Sequence, residues 1–194
     1  MSIYETMSVP LKYLDSFEKK QHILLLYEDP DYARLLEFRF IKNGLVSGES
    51  CLYVTSEDPV SIVVKFLTYG IPLHYFASGK LRVIQVREVH GGQDLMQHCK
   101  KEVSKILDSL VPPYRIVGRI VADVSTMEGM SVQMEMEKIA HARFDDLRGS
   151  IMCIFDVSKI EHSRRKRWLE ELRANHHVVI YAPKFGHGGV FCPC

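Results

Sequence analysis

His22–Phe40 reads HILLLYEDPDYARLLEFRF, and the reading of the whole chain turns on it. Ile23, Leu24, Leu25, Leu26 and Tyr27 follow one another without a polar break, which suits a strand buried on both faces. Asp29 and Pro30 come next. An aspartate there accepts hydrogen bonds from first-turn amides, and a proline at the first helical position forfeits no bond, so a helix is expected from Pro30 onward. The same step from apolar run to helix recurs down the chain. CLYVT (51–55) is followed by Asp58 and Pro59, and LRVIQV (81–86), GRIVADV (118–124), IMCIF (151–155) and HVVIY (177–181) continue the alternation. Strands alternating with helices predict an α/β fold with three layers, α/β/α, around a mostly parallel sheet.

Smaller signals set the boundaries. Gly44 and Gly70 suit helix C-terminal stops, and Ser158 with Glu161 has the spacing of a capping box. Leu95, Cys99, Val103, Ile106 and Leu110 recur at three and four, an amphipathic helix that ends before Pro112 and Pro113. With 194 residues, 46% of them hydrophobic, the chain supports one packed core. That domain is placed at 21–184, behind an amphipathic extension (1–20) and before a tail (185–194).

Charge and cysteine content exclude several classes of function. Lysine and arginine number 25 against 24 acidic residues, so no global field draws the chain to nucleic acid or an anionic membrane. No apolar stretch is long enough to span a bilayer, the first residues lack a signal peptide's pattern, and a cytoplasmic location is expected. The five cysteines, at 51, 99, 153, 192 and 194, are odd in number and scattered, which fits a reducing compartment rather than a disulfide framework.

Phe40–Asp58, FIKNGLVSGESCLYVTSED, resembles the helix, turn and second strand of KaiC/RecA-type ATPases. Arg119–Gly129, RIVADVSTMEG, is similar to their Walker B strand, with Asp123 in the place of the magnesium-side carboxylate and Ser125 just after it. Those ATPases follow the first strand with GxxxxGK[ST], whose amides and lysine hold phosphate. Between Tyr27 and the helix this chain has neither glycine nor lysine, and it carries Glu28, Asp29 and Asp31 instead. Like charges ~4 Å apart repel by ~1 kcal/mol in water and by several times that at a partly buried site. Asp29 as a cap also takes the amides that a phosphate would use. The expectation is a RecA/KaiC-like P-loop NTPase fold lacking Walker A.

From about His22 to Tyr181 the pattern more specifically resembles the MEDS domain, a sensory module with a KaiC-like fold and a degenerate P-loop. The resemblance rests on His22 and Tyr27 in HILLLYE, on Gly44, Gly48 and Glu49 in FIKNGLVSGESCLYVT, on Phe155 and Asp156, and on His176. It implies non-catalytic small-molecule sensing in signal transduction or transcriptional regulation. No cofactor is expected. Such domains couple to a histidine kinase or a DNA-binding region, and no such region falls within these residues, so a regulatory partner in trans is expected.

Ligands of open parallel sheets bind beyond the carboxyl ends of the strands. That rule selects Tyr27, Glu28, Ser56, Glu57, Asp123, Ser125 and Asp156, with Arg87 and His90 after LRVIQV. Their acids and hydroxyls suit an amine, a polar organic molecule or a cation. The plainer alternative is that strand-end carboxylates cap helices or pair with arginines. His22 lies at the opposite end of its strand, which suggests a structural role. His187, Cys192 and Cys194 are a weak metal candidate without an evident fourth ligand. His176 and His177 read as a proton-sensitive pair or as strand-entry packing. Ser163–Arg167 is read as a solvated mid-helix face, with Glu161 to Arg165 and Arg167 to Glu171 spaced for ion pairs, rather than as a nucleic-acid site. Met130, Met134 and Met136 suit either a groove or the core. No GxSxG elbow or activated cysteine marks a catalytic residue. Two other classes stay open: a residual nucleotide binder using Asp123 and Glu57, and an interaction subunit or homo-oligomer joined through sheet edges.

Overall fold

Five of the expected apolar runs become strands of one sheet in the computed structural model, which describes residues 8–17, 20–87 and 94–193. In chain order the elements are α1 Val9–Asp15, β1 His22–Tyr27, α2 Pro30–Val46, β2 Ser50–Thr55, α3 Pro59–Thr68, the single turn α4 His74–Ala77, and β3 Leu81–Gln85. They continue with α5 Leu95–Asp108, β4 Tyr114–Val117, α6 Met127–Ala142, β5 Gly149–Asp156, α7 Arg165–Ala174, β6 Val178–Ala182 and β7 Gly189–Phe191. The seven strands lie in the order β3-β2-β4-β5-β1-β6-β7. All pairings are parallel except that of β6 with β7.

Strand alternation divides β1 between two cores. Ile23 and Leu25 face the layer of α1, α2 and α3, and Leu24 and Leu26 face α5, α6 and α7. His22 shares the parity of Leu24 and so points to the second layer. Met130, Met134 and Met136 are buried there against Trp168 and Leu172, which makes them core.

The helix starts follow from the capping chemistry. Asp29 accepts from the amides of Asp31 and Tyr32 at 3.0 and 3.1 Å, and its other oxygen accepts from Phe185 N at 3.0 Å. Asp58 caps α3 through Ser61 N at 2.8 Å, and Gly70, at φ 88°, stops that helix where expected. Gly44 does not stop α2. It lies buried inside the helix, where a Cβ would fall 2.6 Å from Arg115 Cδ. The missing side chain lets Arg115 cross the layer to Glu49, at 2.8 and 3.0 Å, and to Phe40 O at 3.1 Å, between the rings of Phe17 and Phe40. Gly44, Gly48 and Glu49 thus build one structural unit around a buried arginine, with Gly48 turning the chain at φ 81°.

Three local expectations are corrected. The strand placed at 118–124 lies earlier, at Tyr114–Val117, because Gly118 takes φ 130° and passes so close to β2 that a Cβ would sit 2.1 Å from Val54 O. The chain leaves the sheet there, so Asp123 does not end a strand. The Ser158/Glu161 capping box does not form. Asp156 captures Ser158 N at 2.9 Å and closes a 3-10 turn at Val157–Lys159, and α7 begins only at Arg165. Ser163–Arg167 therefore straddles a helix start, where Arg164 lies 3.6 Å from Glu161 and Glu171 pairs with Lys138 at 2.5 Å. The tail contributes β7, on which α1 also packs. His90 and Cys194 fall outside the described residues.

Candidate functional site

The carboxyl-end crevice gathers some of the expected residues and disperses others. Tyr27 and Glu57 line a polar recess of 200 Å³ with Arg34, Glu37, Tyr53 and Arg119. Glu57 is held there by Arg34 and by Lys65, the latter at 2.6 Å, and Tyr53 donates to the buried Glu37. Burial pushes the Tyr27 hydroxyl up to about 12, with the Glu37 and Asp156 carboxylates adding to the effect. Asp156 is buried but spent on capping its own 3-10 turn. Asp123 is exposed and accepts from Ser125 N at 2.8 Å, a local turn. Glu28 is also exposed and accepts from the Tyr181 hydroxyl. Arg87 is exposed, and Cys192 is exposed on the tail.

The second convergence lies at the opposite end of the sheet. β1 begins with His22, β5 runs beside it with Cys153 on the same face, and His176 sits in the turn between α7 and β6. Above them α6 carries Glu137 one turn beyond Gln133. All four of His22, Glu137, Cys153 and His176 are buried, and their ligand-type atoms lie within 4.8 Å of one another. His22 Nε2 is 3.2 Å from Glu137 Oε2 and 3.4 Å from Cys153 Sγ. Cys153 Sγ is 3.0 Å from the same carboxylate oxygen, and His176 Nε2 is 3.5 Å from it.

A second ring of bonds fixes these groups. His176 Nδ1 donates to Leu172 O at 2.7 Å, and Nε2 is turned to the carboxylate without a hydrogen-bond partner. Gln133 donates to Glu137 at 2.6 Å while accepting from Val121 N at 3.1 Å, which ties the loop after β4 to the cluster. The His22 ring packs on that of His176, centroids 4.0 Å apart, and stacks on Phe144.

Electrostatics in this pocket are unusual for a core. Burial lowers the His22 imidazole to about 4, against the opposing pull of Glu137, which leaves that ring neutral at physiological pH. Burial alone would raise the Glu137 carboxyl, but the His176 and His22 imidazoles at its edge outweigh this and hold it below the usual carboxylate range. The Cys153 thiol is pushed well up, by burial first and then by the Glu137 charge. That is the reverse of what a cysteine nucleophile needs, although a histidine lies beside it.

A cavity of 360 Å³ opens onto the cluster. It runs between the sheet and the helices α5 and α6. Its walls are mainly apolar, including Val54, Val103, Ile106, Ile116, Met136 and Ile139. His22, Gln133, Glu137 and Cys153 supply a polar patch at one end, and Asp108 and Arg143 stand among its exposed lining residues.

His22 and His176 were the two members marked by the sequence resemblance. Glu137 and Cys153 were missed. The available signal was a stripe on α6, Met130, Gln133, Glu137 and Ala140, spaced at three and four, which puts two polar residues where a helix should be apolar.

Fold and site together define a KaiC/RecA-like α/β domain in which a buried polar cluster meets a mainly apolar, partly open cavity. Residues 21–177 match the family described as MEDS, the methanogen/methylotroph, DcmR sensory domain, and the chain belongs to that family. A KaiC-like protein from the hyperthermophilic archaeon Pyrococcus horikoshii OT3 superposes with a TM-score of 0.59 at 12% identity, over 86% of this chain and 73% of that one. A second protein from the same organism gives 0.56 at 14% identity, over 89% of this chain and 86% of that one. At these identities the likeness is one of fold. No curated protein matches the chain. Among the described residues no helix is long and apolar enough to cross a membrane.

Proposed function

We propose that this sensory domain binds a small, largely apolar molecule between the sheet and α5 and α6, with one polar end of the ligand against His22, Gln133, Glu137 and Cys153. The observation that carries the reading is the 360 Å³ cavity, whose apolar walls converge on a few fixed polar groups. Small-molecule sites have this character and fall at ~300–1,000 Å³. The recess at the carboxyl ends is smaller, at 200 Å³, and its polar side chains are largely committed to one another.

Sensing here is binding without chemistry. A molecule filling the cavity fixes α5 against α6, and the altered outer surface of that layer is what a histidine kinase or DNA-binding regulator in trans would read. The test is a thermal-shift screen of small organic molecules on the wild type and two variants. Ile116→Phe projects a ring into the cavity, and Tyr27→Ala with Glu57→Ala empties the opposite recess. A ligand that stabilises the wild type should lose its effect on Ile116→Phe and keep it on the double variant. The reverse pattern moves the site to the carboxyl ends of the strands and refutes the reading.

A further inference from the structure

We propose that His22, Glu137, Cys153 and His176 form a binding site for one divalent transition metal ion of the zinc class. The proposal goes beyond ligand sensing and stands on the four side chains alone, whether or not the cavity holds an organic molecule.

The spacing of the four groups is close to that of a tetrahedral coordination shell. Bonds of ~2.0–2.3 Å to nitrogen, oxygen and sulfur at tetrahedral angles place ligand atoms ~3.3–3.7 Å apart. Of the six edges of such a shell, two measure 3.4 and 3.5 Å and fall within that range, two measure 3.0 and 3.2 Å and fall just short of it, and the others lie within 4.8 Å. The donor set, two imidazoles with a thiolate and a carboxylate, suits zinc and its neighbours and not calcium or magnesium, which prefer oxygen alone.

His176 Nε2 points to the ion most directly. Its ring is oriented by the bond from Nδ1 to Leu172 O, its side chain is fully buried, and its second nitrogen lies 3.5 Å from a carboxylate oxygen without a hydrogen-bond partner. A cation seated between that nitrogen and the Glu137 carboxylate would bond to both and satisfy the orphaned buried atom. A second ring of hydrogen bonds of this kind, carbonyl to histidine and amide to carboxylate, is what orients ligands in metal sites.

Charge closes the argument. When the ion displaces the thiol proton, Cys153 and Glu137 carry two negative charges, and a divalent cation leaves the buried site neutral. The proton leaves to solvent through the cavity, on which His22, Glu137 and Cys153 all border.

The experiment uses the full chain, stripped with a chelator and titrated with cobalt(II), then with zinc. One equivalent of cobalt should produce the intense visible bands of a tetrahedral ion and a thiolate-to-metal charge-transfer band, and one equivalent of zinc should abolish both. Cys153→Ser should lose the charge-transfer band, and His176→Gln should weaken binding at least tenfold. Cys192→Ser with His187→Gln should bind as the wild type does. Wild-type protein that shows neither band at stoichiometric cobalt overturns the proposal without recourse to any variant that fails to fold. A charge-transfer band that survives Cys153→Ser and vanishes in the Cys192 and His187 variant also overturns it, by moving the ion to the tail.

Discussion

Replacing Gly44 by alanine sets two well-understood effects against each other, and the structure decides which prevails. In an exposed helix the change stabilises by ~1 kcal/mol. Here the new methyl would stand 2.6 Å from Arg115 Cδ, 2.9 Å from Nε and 3.0 Å from Cys51 Sγ. Ordinary carbon contacts begin near ~3.5 Å, so the arginine must retreat by about 1 Å. It has no room to do so. Its guanidinium is held at 2.8, 3.0 and 3.1 Å, and the Arg115 side chain is 5% exposed against 16% for Glu49. Charge-assisted hydrogen bonds contribute ~1.5–3 kcal/mol each, and disrupting a buried pair costs ~3–5 kcal/mol. Subtracting the helical gain leaves a net loss of ~2–4 kcal/mol. For a chain of this size that lowers Tm by ~4–16 °C. Differential scanning calorimetry on Gly44→Ala reads the shift directly. In an Arg115→Met background the same substitution should lose most of its penalty, because the methyl then meets a side chain with nothing to give up. A Gly44→Ala protein as stable as the wild type, or more stable, would show that the glycine serves some purpose other than admitting the arginine.

Gly118→Ala should be more damaging still, since it combines a φ of 130° with a Cβ 2.1 Å from Val54 O; a soluble variant melting within ~2 °C of the wild type contradicts this. Raising the pH tests Tyr27, whose folded pKa of about 12 exceeds the ordinary 10.0. The stability that this shift confers is fully present below pH 10.0 and is lost as pH rises toward 12, so in urea titrations Tyr27→Phe should show a shallower alkaline decline than the wild type. Adding ATP and magnesium at millimolar concentration should leave Tm unchanged, because the Asp31 and Tyr32 amides are already occupied; a clear stabilisation would revive the nucleotide-binding alternative.

Most of the sheet was legible because parallel strands buried on both faces must be continuous apolar runs, and HILLLY, CLYVT and HVVIY have no other good reading. β4 was displaced because its second residue is Arg115. A strand whose arginine is paired within the core looks polar in sequence, whereas RIVADV just beyond it looks like a strand and is not. β7 is only three residues long and begins with glycine, too little to carry a periodicity. The carboxyl-end residues were selected by a topological rule that says where a crevice lies but not which side chains are already engaged. The buried cluster was half visible. Its members stand at positions 22, 137, 153 and 176, a separation that only the tertiary fold closes, and Glu137 sits in MEMEK, which reads as an ordinary solvated turn of helix.

The two oxygens of Asp29 serve different parts of the chain, one closing the first turn of α2 and the other receiving Phe185 N from the segment after β6. Grafting glycines and a lysine between Tyr27 and Pro30 would therefore free the helix amides and, in the same stroke, unfasten the returning carboxyl-terminal strap. A phosphate-binding loop at that position would need a compensating change 156 residues away. One carboxylate thus couples the start of the first long helix to the segment that carries the last strand.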